Sequence, residues 1–304
     1  VQYDASFVGI LQSLTAMKNR TLHPYISLGI LALIWGSSFI LMKEGLKIFS
    51  SYQVAAMRIS FAGLALIPFV NWKKVKLKKG DLKYFAISGF TGSAIPAFLF
   101  TAAQTKISSS LAGALNGLTP LFALLVGVLF LKVEFNKKKF LGVVFGLVGA
   151  LFLVYRQDMN YNIGYTLLVV LATFLYGINV NIIKHKLSDY PPLLVSALPL
   201  AIIGIFGGMV LLYTGLHIEF TESQSLKSLV AVIILALIGT AFSLILFNKL
   251  IHQTNAVFAT SVTYLIPIVA LYWGFLANEA ISLNQIGGLL FIIIAIWMIR
   301  NDKG

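Results

Sequence analysis

Asn116-Gly117-Leu118-Thr119-Pro120 and Thr263-Tyr264-Leu265-Ile266-Pro267 hold corresponding places in two strongly apolar stretches. Each stretch ends in a glutamate followed by a glycine eight residues on, Glu134 with Gly142 and Glu279 with Gly287. The match reads as one unit written twice. A proline inside a helix removes the hydrogen bond from its own nitrogen to the carbonyl four residues back, at a cost of about 3 kcal/mol. Two prolines in matching interior positions are therefore read as kinks, Pro120 freeing the carbonyl of Asn116 and Pro267 that of Thr263. Asn116 and Thr263 are aligned with each other by the same offset of 147 residues.

The chemistry of the whole chain sets the medium in which those kinks sit. Hydrophobic residues make up 59% of 304 positions, charged residues only 11%, and the mean hydropathy is +0.90. A soluble domain carries about 25% charged residues, so this composition belongs to an integral membrane protein whose surroundings are the lipid bilayer. The net charge of +13 comes from lysines in short tracts between apolar runs, where cytoplasmic loops place them. That placement argues against a nucleic-acid partner. The absence of cysteine removes disulfides and thiolate metal sites, and no cofactor or metal is expected.

A spanning helix needs about 20 mostly apolar residues, and the sequence offers ten such segments, at about 24–43, 52–71, 83–105, 109–131, 139–156, 162–184, 191–213, 226–250, 254–277 and 283–300. Alternating these across the membrane from a cytoplasmic start puts seventeen lysines and arginines inside and five outside, with Arg58 within a span. The asymmetry predicts that both termini are cytoplasmic. Residues 1–23 are read as an N-terminal extension and cytoplasmic segment, with 1–16 lying upstream of an ordinary start at Met17.

A second match, Trp35-Gly36 with Lys43 against Tyr176-Gly177 with Lys184, has an offset of 141 and superposes the first span on the sixth. The chain thus divides into two five-helix repeats, 24–156 and 162–300. Because five is odd, the second repeat crosses the membrane in the opposite sense. The expected fold is an all-α membrane protein of ten transmembrane helices in two inverted repeats. Halves so related can rock about a shared site, which points to a transporter. The proline-to-glutamate spacing is 14 in the first half and 12 in the second, so the two gates should differ in shape.

Trp35-Gly36-Ser37-Ser38-Phe39 with Lys43, Ala56-Met57-Arg58-Ile59-Ser60-Phe61-Ala62, Ala112 through Pro120, Thr240 through Asn248, and Thr263 through Pro267 together resemble the EamA-type branch of the drug/metabolite transporter superfamily. The resemblance covers nearly all of residues 24–300. It implies a cavity enclosed by the first, third, fourth, sixth, eighth and ninth helices. It also implies export of amino acids or other small metabolites, in a bacterial case across the inner (cytoplasmic) membrane.

Irregular backbone at membrane depth is tolerated where it is buried or lines a wet cavity. Asn116 and Thr263 are therefore the first expected contacts for a small-molecule substrate. Ser38 and Asn179 are aligned on the first and sixth spans, while Thr101, Gln104, Thr240, Ser243 and Tyr264 add neutral hydrogen-bonding groups on the third, eighth and ninth. Trp35, Tyr176 and Tyr264 are candidate gates or stacking faces. Any one serine or threonine here has an ordinary alternative use, bonding to its own helix or joining two helices.

Arg58 lies six residues beyond Tyr52, about 9 Å along a helix. Two readings compete for it: its long stem snorkels to the outer interface, or its charge holds an anionic group such as a substrate carboxylate. Lys43 and Lys184 end their helices where cations suit the dipole, and Glu134 and Glu279 stand where a carboxylate can cap the next helix. Gly142 and Gly146 form a small-xxx-small pair that suits either intrachain packing or a homodimer contact.

Absences complete the reading. All ten carboxylates and all four histidines fall in loops or at helix ends, which disfavours a proton relay through a buried acid. An intramembrane enzyme would need paired acids, a metal cluster or a serine with a histidine base, and the sequence shows none of these. A channel, or a receptor built on the same scaffold, is the alternative to a carrier.

Overall fold

The computed structural model describes residues 22–154, 162–216, 222–276 and 283–300. Among them every regular element is helical. Helix α1 (Pro24–Gly45) opens on a proline, whose missing N–H costs nothing in a first turn. Helix α2 (Ser51–Leu66) begins at a capping box in which Ser50 and Gln53 each bond the other's backbone N–H. The third apolar run is α3 (Leu82–Gly89), a π-helical turn at Phe90–Ala94, then α4 (Ile95–Gln104).

The fourth run breaks in two. Helix α5 (Ser109–Asn116) is capped by the Ser108 hydroxyl, and α6 (Thr119–Leu131) restarts after Gly117 and Leu118. Helices α7 (Lys137–Val154), α8 (Ile163–Lys186) and α9 (Pro192–Thr214) follow. The eighth run repeats the construction of the third: α10 (Ser223–Ala236), a π-helical segment at Leu237–Phe242, and α11 (Ser243–Gln253). The ninth run repeats that of the fourth. Helix α12 (Ala256–Thr260) is capped by Asn255, the counterpart of Ser108 at the offset of 147, and α13 (Val262–Leu276) restarts after Ser261. Helix α14 (Leu283–Arg300) completes the order.

Seven runs among the described residues are long and apolar enough to cross a membrane, and Ala256–Val269 and Gly287–Ile299 are shorter apolar helices. Packing pairs the runs reciprocally. Helix α1 lies against α13 and α10, as α8 lies against α6 and α4; α2 pairs with α9, and α7 with α14. The many buried glycines and alanines allow these helices close approach, the usual basis of helix association in lipid.

Several expectations change at this level. Pro120 is not in a helix interior: it sits in the first turn of α6, and the Asn116 carbonyl accepts a hydrogen bond from the Thr119 hydroxyl at 2.8 Å. That carbonyl is therefore not free, because the break two residues earlier changed which groups need partners. Pro267 does stand inside α13. Glu134 does not cap the following helix; the Asn136 side chain does, accepting from Lys138 and Lys139 N–H at 2.9 and 3.0 Å. Glu279 and residues 1–16 lie outside the described residues. Gly142 and Gly146 are used within the chain. A Cβ on Gly142 would stand 3.2 Å from the Ala295 carbonyl of α14, and Gly146 lies flat against the Tyr264 ring.

Candidate functional site

A cavity of about 90 Å³, room for several waters, lies where α1, α2, α8 and the interrupted third, fourth, eighth and ninth runs converge. Interruption is what makes it polar. In a regular helix the backbone satisfies itself, whereas a π-bulge or a break turns hydroxyls and carbonyls outward, and such bulges often mark functional sites. Gly92 and Ser93 enter the wall from one π-helical turn, and Gly239 and Thr240 from the other. Asn116 and Thr119 flank the break between α5 and α6. Thr260 and Thr263 flank the break between α12 and α13.

Hydrogen bonds lock most of this wall. The Thr240 hydroxyl donates to the Leu235 carbonyl five residues back at 3.0 Å, filling the bulge, and accepts from Arg58 Nε at 2.7 Å. The Trp35 indole N–H is shared between the Gly239 carbonyl at 3.1 Å and Ser243 Oγ at 2.9 Å. Ser88, which is not a lining residue, donates to Asn179 Oδ1 at 2.7 Å, and Thr119 also donates to Asn116 Oδ1 at 3.1 Å. Thr263 donates to the Thr260 carbonyl at 2.9 Å and Ser38 to that of Ile34 at 2.8 Å. Aromatic rings face the cavity in two pairs: Tyr176 stacks on Phe100 with centroids 6.0 Å apart, and Trp35 meets Phe247 edge-on at 5.0 Å.

Charge in the cavity is one-sided. Arg58 lines it, and among the described residues no aspartate, glutamate or histidine does. The ion pairs among the described residues are Lys47 with Glu44 and Lys78 with Asp189, and none of these four lines the cavity. The side chain of Arg58 thus turns inward to Thr240 and does not reach for the membrane interface.

Of the residues singled out in the sequence, Trp35, Ser38, Arg58, Asn116, Tyr176, Asn179, Thr240 and Thr263 are brought together on this one wall. Tyr264 and Gln104 are not among its lining residues. Tyr264 is fully buried and donates to the Val143 carbonyl at 3.0 Å, tying α13 to α7. Gln104 donates to Ser109 at 3.0 Å across the turn into α5. Thr101 returns its hydroxyl to Ala97 of its own helix at 2.8 Å. Lys184 does not serve its own helix end: Nζ donates to the Ile251 and Thr254 carbonyls at 3.0 and 2.5 Å, capping α11. Sequence reasoning missed Gly92, Ser93, Thr119 and Thr260. Thr119 was visible beside Pro120, but its role depends on a break that hydrophobic periodicity does not announce.

Comparison with known proteins agrees with this architecture. The sequence profile of the EamA-like transporter family matches twice, at residues 23–155 and 163–301. The chain is 24% identical to the uncharacterized transporter YdfC of Bacillus subtilis (strain 168), over 91% of this chain and 90% of that protein. It is 25% identical to the uncharacterized inner membrane transporter YedA of Escherichia coli (strain K12), over 94% of each. One solved crystal structure superposes with a TM-score of 0.70 at 14% identity, covering 90% of this chain and 95% of the other, a likeness of fold. With the family domain spanning nearly the whole chain in two copies, the protein belongs to the EamA-like transporter family and is a multi-pass membrane transporter.

Proposed function

We propose that the protein is a secondary exporter of a small polar or amphipathic metabolite, working by alternating access in a bacterial inner membrane with both termini cytoplasmic. In this reading the two family domains are inverted five-helix repeats making ten spans. The packing supports it at the level of whole runs, since exchanging the halves turns the contacts of α1 with the ninth and eighth runs into those of α8 with the fourth and third. Breaks and π-bulges recurring in both halves support it as well.

The observation that carries the reading is the cavity itself, whose wall is drawn from both domain copies. A site shared between two bodies is exposed to one side or the other when they rock. Asn116 and Thr263 contact the solute, and α1 and α8 close the path on alternate sides. The test is counterflow in proteoliposomes, with solutes first found by thermal-shift screening of a metabolite library, because a ligand that binds only the native state raises its melting temperature. Alanine at Asn116 or Thr263 should slow flux in a protein that still inserts and melts cooperatively. Unaltered flux in both variants rejects this site. A steady unidirectional current without saturation marks a channel instead.

A further inference from the structure

We infer that the solute is an organic monoanion, a carboxylate on a flat or apolar body, and that its passage carries net negative charge. The inference rests on the transport reading above and narrows it. Its starting point is Arg58. One guanidinium nitrogen, Nε, is spent on Thr240. The two terminal nitrogens have no acceptor among the described residues, and no carboxylate lines the same cavity. Arg58 is half-buried in the cavity wall, where an anion would replace water on its terminal nitrogens with charge-assisted hydrogen bonds. The free fork of N–H groups matches a carboxylate in the bidentate manner, which a hydroxyl or an amide oxygen matches poorly.

The rest of the wall sets the remainder of the molecule. Tyr176 with Phe100 and Trp35 with Phe247 offer ring faces and edges beside the charge, suited to a planar or apolar body. The ammonium of a zwitterion would find only neutral oxygens and ring faces on the wall, weaker partners than a carboxylate. A cation would meet Arg58 with like charge. An amino acid is therefore a poorer fit than an acid lacking the amine.

With no aspartate, glutamate or histidine on the wall among the described residues, none of them hands over a compensating proton there. The anion then crosses with its own charge, and an interior-negative membrane potential drives it outward. Export needs no coupling ion in this scheme.

The test uses three probes of one shape on the full-length protein: benzoate, benzamide and benzylammonium. Benzoate should raise the melting temperature and the other two should not. Benzoate jumps on sensor-adsorbed proteoliposomes should evoke a charge movement that neutral benzamide does not. Arg58→Gln should weaken benzoate binding at least roughly tenfold, and Arg58→Lys, which keeps the charge but not the fork, should fall between. The wild-type comparison stands even where a variant fails to fold. Equal stabilisation by benzamide, stabilisation by benzylammonium, or no response to any probe overturns the inference. In each case the library screen and counterflow assay decide the transport reading separately.

Discussion

The Asn179 amide lies directly against Gly92, so closely that a Cβ at that glycine would overlap it. The Ser38 hydroxyl stands in the same relation to Gly239, 2.8 Å from the position of its missing Cβ. Both glycines lie in π-helical turns and both partners on long helices of the other domain copy. Each contact therefore joins the halves at the cavity wall, and a larger residue at either glycine would force the facing side chain to move.

Gly92→Ala and Gly239→Ala should each destabilise the protein by about 1–3 kcal/mol, the range for overpacking a close contact. Melting followed by intrinsic fluorescence in detergent checks this. A melting temperature unchanged in both variants would show that the halves are free to separate there.

The two prolines should behave differently. Pro120 sits where its missing N–H is an orphan anyway, so Pro120→Ala should leave stability within about 0.5 kcal/mol. Pro267 interrupts α13 from inside, and Pro267→Ala should raise the melting temperature while slowing counterflow as the helix stiffens. Equal effects of the two substitutions would contradict the asymmetry of the halves.

Thr119→Val removes the donor that satisfies the Asn116 carbonyl and side chain. Stripping a partner from a buried acceptor costs about 1–3 kcal/mol. Thr119→Ser keeps the hydroxyl and should recover most of the loss. Failure of serine to outperform valine in thermal unfolding would remove the hydrogen bond from the account.

Trp35→Phe keeps a ring against Phe247 but loses the N–H shared by Gly239 and Ser243, a loss of about 1 kcal/mol. It should also reduce whatever quenching of indole fluorescence the native protein shows on binding solute. Full retention of that signal in the variant would place the solute away from Trp35.

Outside the membrane, Lys78 pairs with Asp189 at 2.5 Å, and Tyr190 donates to Asp81 at 2.6 Å. The hydrogen bond to Lys78 holds the Asp189 carboxyl below its ordinary range and raises the Lys78 ammonium; burial, then Asp81, raises the Tyr190 phenol. A depressed acid stabilises above its unfolded value, and that support is lost as pH falls through the folded one. Raised Lys78 and Tyr190 stabilise below their unfolded values and lose that as pH rises through the folded ones. Melting temperature should thus be flat near neutrality and decline toward both extremes. Both ions of the pair are 68% exposed, so Lys78→Ala should change little, and less still in high salt. Tyr190→Phe should cost more. A reversed ranking would refute this division.

How far the sequence reached is clearest at Arg58 and Tyr264. Its place in an apolar run marks Arg58 as an unusual ion inside a span, yet helix position leaves two directions open to its stem. Packing against the bulge at Thr240 chose the inward one. Tyr264 stood in a motif beside Thr263 and invited a solute role. Successive residues of a helix point about 100° apart, however, and its neighbour's presence on the wall turns Tyr264 toward Gly146 and Val143 instead.

Hydropathy, lysine placement and the repeated proline segments fixed the membrane setting and the twofold character of the chain, because burial in lipid and charge at its faces act on each segment independently. Which oxygens, rings and charge share one cavity was decided only by the assembled helices. At both π-helical turns a glycine lies in close contact with a side chain of the other domain copy, Gly92 with Asn179 and Gly239 with Ser38, and such contacts between distant segments are not written in either segment alone.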